Sequence, residues 1–206
     1  MRKGWAAPLS AAIVLLAISS VLLFYANVTT STGTVAPSFT VKAIDGRNVS
    51  SAELRGTVVV LHLAVIYCGG VITDPGKYQI EQLKIARDAA GQGVEFLTVT
   101  SENCPTTDLL AIRQQQNISW SLVNDWPDLQ IFGPYAEYFS QHGDPTLVII
   151  DADGKVVRHT GVTGSGEILK AVNAAKSKTA PQSPASAGFG YAGMFALGAV
   201  TSLAPC

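Results

Sequence analysis

From about residue 38 onward, apolar and polar positions switch between two periods, and the two ends of the chain follow neither. "SFTVKAIDGRNV" sets two short alternating runs on either side of Asp45-Gly46, a tight-turn dipeptide, and predicts a hairpin. "GTVVVLHLAV" is a near-continuous β-branched and apolar run, which predicts a central strand covered on both faces. The period then becomes helical in "DPGKYQIEQLKIARDAAGQG", with Ile80, Leu83, Ile85, Ala86 and Ala89 on the expected apolar face. Asp74 is the expected N-cap, Pro75 the first helical residue and Gly91 the terminator. "VEFLTVT" reads as a second buried strand, "PTTDLLAIRQQQ" as a second helix with Pro105 at its start, and "WSLVND" as a short strand. "PTLVIIDADGKVVRHTG" predicts a hairpin and "SGEILKAVNAAKS" a closing helix that Ser165 is placed to cap.

This order predicts an α/β fold, a mixed sheet with a parallel centre and helices on both faces. Right-handed crossovers place the strand at 57–65 beside the strand at 94–100, running the same way. Ligand and catalytic groups of such sheets gather beyond the carboxyl ends of the strands. Cys68 follows one of those ends.

The ends of the chain differ from this core. "MRKGWAAPLSAAIVLLAISSVLLFYANV" carries Arg2 and Lys3 and then no charge through Val28, long enough to cross a hydrocarbon layer of roughly 30 Å. The two cations place its start in the cytoplasm, and Trp5 and Tyr25 stand where interfacial anchors do. A cleaved signal peptide is the competing reading. The long apolar core and the poor cleavage site "YANV" favour an uncleaved transmembrane anchor over residues 1–28. Either way the following domain is expected outside the cytoplasm, where disulfides persist. A Pro/Ser/Ala linker at 177–187 leads into the uncharged "FGYAGMFALGAVTSLAPC", read as the start of a second membrane segment over 188–206. These ends explain why 48% of the residues are hydrophobic and only 14% charged. A net charge of −1 without a basic block excludes a phosphate-tracking surface, so no nucleic-acid partner is expected.

Two segments carry a family resemblance. "APSFTVKAIDGRNVSSAELRGTVVVLHLAVIYCGG" resembles the opening of membrane-anchored thioredoxin-like proteins of the TlpA/ResA type. "GDPTLVIIDADGKVVRHTG" resembles their segment around the proline that is cis in thioredoxin folds. The resemblance spans about residues 36 to 175. It implies a thioredoxin-like domain over 36–176 that reduces or exchanges protein disulfides outside the cytoplasm, often in cytochrome c maturation, through a Cys-x-x-Cys pair. Pro145 is then the residue against which a substrate strand docks.

At the chemistry this sequence departs from that pattern. Cys68 falls on the first cysteine of the pair, but Val71 occupies the second position. Exchange needs an attacking thiolate and a resolving thiol, and the candidate for the second is Cys104 in "TSENCPTTD". It follows the neighbouring parallel strand by about as many residues as Cys68 follows its own. Adjacent strands lie about 4.8 Å apart, and a bridge needs Cα atoms within about 7 Å, which this layout permits. Cys104 also precedes Pro105, at an expected helix N-terminus where a thiolate is favoured. Three readings stay open: a redox pair, a structural disulfide, and two buried inert thiols.

The tail "FALGAVTSLAPC" resembles the start of the first membrane helix of the cytochrome c biogenesis transmembrane family (CcdA/DsbD type). That likeness implies Cys206 as a further electron relay. The reading is therefore a thiol–disulfide oxidoreductase tethered to the cell membrane. Its expected partners are protein disulfide substrates, such as apocytochrome c or its maturation factors, and a membrane electron-donor protein. No cofactor and no resident metal are called for. Two alternatives accompany it. A Sco-like copper chaperone would draw on Cys68, Cys104 and His142, a soft N/S set suited to Cu(I), although the Cys-x-x-x-Cys spacing of that family is missing. A thiol peroxidase would need a threonine where Val65 stands. His62 is expected to be a hydrogen-bonded core residue and His159 to be solvated.

Overall fold

A computed structural model describes residues 33–179, so the expected anchor (1–28), the second membrane segment (188–206) and Cys206 lie outside the described residues. Among the described residues no helix is long and apolar enough to cross a membrane.

Among the described residues, ten strands and four helices follow in the order β1 (Thr34–Val35), β2 (Thr40–Lys42), β3 (Asn48–Ser50), β4 (Val58–Leu63), β5 (Ile66–Tyr67), β6 (Val71–Ile72), α1 (Asp74–Ala90), β7 (Val94–Thr100), α2 (Thr106–Gln115), β8 (Ser121–Asn124), α3 (Phe132–His142), β9 (Thr146–Ile150), β10 (Lys155–Thr160) and α4 (Ser165–Thr179). Six strands form the main sheet in the order β1-β10-β9-β4-β7-β8. β4, β7 and β8 run parallel, with Val60 opposite Phe96 and Val99 opposite Val123. β9 is antiparallel to β4, and β10 to β9. The architecture is the thioredoxin-like mixed sheet flanked by helices.

Every residue of β4 is buried, because both faces of the sheet are covered. On one face Val58, Val60, Phe96 and Ile149 pack with Ile80 and Leu83 of α1, Leu109 and Ile112 of α2, and Ile168 and Val172 of α4. On the other, Val59, Leu61, Leu97 and Val148 meet Phe132 and Tyr135 of α3 and Phe39 of the N-terminal segment. The two parallel crossovers from β4 through β7 to β8 share one hand and so put α1 and α2 on the same face. The chain then turns back to β9 on the far side of β4, and α3 covers the other face.

The sequence pattern needs five corrections. The N-cap of α1 is Thr73, whose side chain accepts the Gly76 N–H, and Asp74 is already helical. A threonine hydroxyl one position earlier outcompeted the carboxylate. Ile85 and Ala89 face outward, and the buried face of α1 runs through Ile80, Leu83, Ala86 and Ala90. α3 was not expected: no element was assigned between Asp125 and Pro145, and Gly133 and Pro134 sit in the first turn of this helix, where proline costs no hydrogen bond. Finally, α4 runs to Thr179, past the expected start of the linker at 177. Ser165 is its first helical residue rather than its cap, and the Gly164 carbonyl accepts the Ile168 N–H.

Candidate active site

Beyond the carboxyl end of β4 the chain makes a miniature hairpin. β5 and β6 pair Ile66 with Ile72 and Tyr67 with Val71, and Cys68, Gly69 and Gly70 form the turn. Gly69 and Gly70 have φ of 78° and 90°, values that a residue with a Cβ rarely adopts. Two glycines after Cys68 are thus what lets the chain reverse here. Cys68 consequently lies in the exposed turn, separated from the first turn of α1 by β6.

Beyond the end of β7, Cys104 sits just before Pro105, the N-cap of α2. It is only 7% exposed and belongs to the apolar layer with Ile66 and Ile72. The Asn124 side chain donates to the Cys104 carbonyl at 3.0 Å and ties this segment to β8. Cys68 and Cys104 are joined in a disulfide, with Cα atoms 5.0 Å apart and a sequence separation of 36. Each sulfur also has a backbone carbonyl beside it: Cys68 Sγ lies 3.3 Å from the Asn103 oxygen, and Cys104 Sγ 3.6 Å from that of Ile66. After reduction each thiol therefore has an acceptor in place.

Polar contacts from three elements fix the Cys68 segment. The Gly69 N–H donates to Asp108 Oδ2 of α2 at 2.8 Å. The Ile66 N–H donates to Thr100 Oγ1 at 3.3 Å. Asp144 reaches the same segment, its Oδ1 accepting the Val65 N–H at 2.8 Å. The peptide bond from Asp144 to Pro145 is cis, and Pro145 leads directly into β9 beside β4. None of the contacts made by Asp108, Thr100 or Asp144 was anticipated in sequence. Each partner is more than 30 residues away, and only the two carboxylates stand near residues already singled out.

The hairpin beside the disulfide exposes one aromatic and one aliphatic side chain. Tyr67 and Val71, opposite each other on the hairpin, are 49% and 58% exposed. Beside Cys104, a groove of about 410 Å³ is lined by Lys42, Ile44, Thr106, Asn124 and the exposed Trp126.

The histidines take no part in this site. His62 is 1% exposed on β4, with Nδ1 3.1 Å from Thr98 Oγ1, and Trp120 Nε1–H donates to the same oxygen at 2.8 Å. Its Nε2 has no hydrogen-bond partner among the described residues. Burial pushes its pKa down to about 3, so the ring is neutral. His142 does not turn to the cysteines. Its Nε2 lies 2.8 Å from His159 Nδ1, and the two exposed rings form a pair at the end of α3. Burial lowers the pKa of His159, the neighbouring His142 lowers it further, and Glu137 opposes both. Among the described residues no group of three or more His, Cys, Asp or Glu side chains is arranged to hold a metal ion.

Known proteins with similar features bear on the family. Residues 32–159, more than half of the chain, match the model of the AhpC/TSA family. No curated protein matches the chain in sequence. Among solved structures, a thiol:disulfide interchange protein of the thioredoxin family from Chlorobium tepidum TLS superposes with a TM-score of 0.58 at 22% identity, over 71% of this chain and 99% of that one. A secreted Mycobacterium tuberculosis disulfide oxidoreductase homologous to E. coli DsbE gives 0.52 at 20% identity, over 66% and 95%. BsSco, a member of the Sco family of cytochrome c oxidase assembly proteins, gives 0.58 at 18% identity, over 73% and 98%. At such identities these likenesses establish the fold. Together with the matched family model they are consistent with thiol–disulfide oxidoreductase activity, and the chain belongs to the AhpC/TSA family of thioredoxin-like redoxins.

Proposed function

We propose that this protein is an extracytoplasmic, membrane-tethered thiol–disulfide oxidoreductase that passes electrons to protein disulfides, in cytochrome c maturation or a related reduction. The observation that carries the reading is the unequal disulfide: one sulfur in an exposed turn, its partner buried, both at the carboxyl ends of adjacent parallel strands.

In the reduced protein the Cys68 thiolate attacks a substrate disulfide. A bond forms between Cys68 Sγ and one substrate sulfur, and the other leaves as a thiolate. The Cys104 thiolate then attacks Cys68 Sγ, the Cys68–Cys104 bond forms, and the first substrate sulfur leaves in turn. Two electrons have passed to the substrate, and the enzyme is left in the bridged state. A dithiol reductant, supplied by a membrane electron-donor protein, reverses these steps to restore it. Cys206 is a candidate member of that donor path. Pro145 borders the Cys68 segment through Asp144, and Tyr67 and Val71 offer apolar contact to an extended substrate chain.

The test is a glutathione redox titration of the protein, read by mass spectrometry, together with reduction of a protein disulfide by the dithiol form. A midpoint between about −320 and −180 mV is expected, the range of exchange proteins. A bridge that resists reduction below that range would make it structural. Hydrogen peroxide consumed faster than protein disulfides would favour a peroxidase instead.

A further inference from the structure

One carboxylate holds both roots of the segment whose turn contains Cys68. Asp144 Oδ1 accepts the Val65 N–H at 2.8 Å, and Asp144 Oδ2 accepts the Thr73 hydroxyl at 2.9 Å. Val65 enters the β5–β6 hairpin and Thr73 leaves it. Thr73 Oγ1 in turn accepts the Gly76 N–H at 3.2 Å, so the chain of bonds extends into the first turn of α1. Behind Asp144, the Thr146 hydroxyl donates to the Gly143 carbonyl at 2.7 Å and braces the loop from which the carboxylate reaches out. The residue is only partly exposed, and bonds of this kind to a carboxylate are stronger than neutral ones.

We propose that Asp144 is the positioning residue of the exchange reaction, keeping Cys68 within reach of Cys104 whenever the disulfide is open. The inference rests on reading Cys68 and Cys104 as the exchange pair. When their bond is cleaved, the covalent tie across the site is lost, and the Gly69-Gly70 turn gives Cys68 freedom to swing away. Besides the buried Ile66 and Ile72 side chains, the polar ties from the body of the domain are the single bonds to Asp108 at the tip and to Thr100 at β5, and the double clamp at the roots. The clamp alone fixes both ends of the hairpin to one atom group, and that group adjoins Pro145. Holding two reacting groups in place raises their effective concentration. Here that quantity sets how fast Cys104 resolves a mixed disulfide on Cys68 and how strongly the bridge competes with glutathione. Asp144 itself exchanges no electrons and forms no covalent bond.

The experiment measures the effective concentration of the Cys68–Cys104 pair against glutathione in the full chain, with acid-quenched species counted by mass spectrometry. Asp144→Ala is expected to lower it roughly tenfold or more, with the Cys68–glutathione mixed disulfide accumulating. Thr73→Ser, which keeps the hydroxyl, is expected to stay near wild type. A core variant remote from the loop, Val172→Ala, controls for lost stability and is expected to leave the value unchanged. An unchanged value in Asp144→Ala, or an equal fall in Val172→Ala, would overturn the proposal. Should Asp144→Ala fail to fold, hydrogen exchange in the wild-type protein decides. The Val65 amide is expected to stay protected after reduction, and its rapid exchange would refute the clamp. These readouts use the chain's own sulfurs, so they stand apart from whether any protein disulfide is a substrate. Failure to reduce one would sink the proposed function and leave the clamp to be judged by its own measurements.

Discussion

The two halves of the disulfide are built differently. Cys68 stands in an exposed glycine turn, on a hairpin held to the body of the domain by the buried Ile66 and Ile72 and by side-chain hydrogen bonds. Cys104 is set in the apolar layer at the start of a helix, its carbonyl fixed to β8 by Asn124. An incoming thiol or disulfide can meet the first sulfur and not the second. Under the proposed function this asymmetry gives attack to Cys68 and resolution to Cys104. The resolving sulfur of a local Cys-x-x-Cys pair comes from the same loop as its partner. Here it comes from the neighbouring strand, so the geometry of the pair is set by the sheet.

The largest expected effect breaks the comparison outright. Cys68→Ser should lower protein disulfide reduction by roughly a hundredfold or more, since the nucleophile is gone. Cys104→Ser should instead trap substrate on Cys68, visible as a covalent adduct on non-reducing gels. If the two variants behave alike, the division of roles is wrong. Next, alkylation of the reduced protein followed by peptide mapping should label Cys68 roughly tenfold or more faster than Cys104, because reactivity follows access. Equal rates would mean that the hairpin does not expose one sulfur preferentially.

Stability sharpens the comparison from the other side. Closing a loop over a separation of 36 residues should stabilise the oxidised domain by about 3–4 kcal/mol in the chain-entropy model. Urea unfolding with and without reductant measures it. A much smaller difference would indicate that the reduced, unfolded chain is already restrained or that the bridge costs the folded state.

The smallest effect lies beneath both segments, where His62 of β4 and Thr98 of β7 bond across the strands that carry the two cysteines. The folded pKa of His62, about 3, lies below the usual imidazole value of 6.5. Its contribution is therefore full above pH 6.5 and is lost as pH falls toward 3. Between pH 7 and pH 5 the loss from this one group is about 2 kcal/mol. His62→Leu should flatten that part of the pH profile in urea unfolding. An unchanged slope would show that other groups set it.

How much of this was legible in sequence depends on the range of the interaction. The strands were, because β4 and β7 are buried on both faces and declare themselves as unbroken apolar runs. The proximity of Cys68 and Cys104 was also, since parallel strands joined by a right-handed crossover end on the same edge. α3 was hidden because its first turn holds Gly133 and Pro134, which signal a stop in isolation and a start when a helix follows. The clamp was illegible for a different reason. Asp144 is 79 positions from Val65 and 71 from Thr73, and no local period records such a contact. His142 failed similarly: its spacing from Pro145 suggested the cysteines, while its actual partner, His159, lies across on β10.

A last consequence follows from the bridge between Ala43 and Val123. β8 is the outer strand of the sheet, and its free side would be a template for another chain. The segment between β2 and β3 occupies that side: Ala43 pairs with Val123, and the Ile44 N–H donates to the Leu122 carbonyl at 2.9 Å. The strand at the opposite margin, β1, is only two residues long. Among the described residues, little unpaired backbone is thus left along the side of β8, which under the proposed function matters for a protein that meets extended, partly unfolded chains. Clients would be steered to the sulfur and kept from adding themselves as an extra strand there.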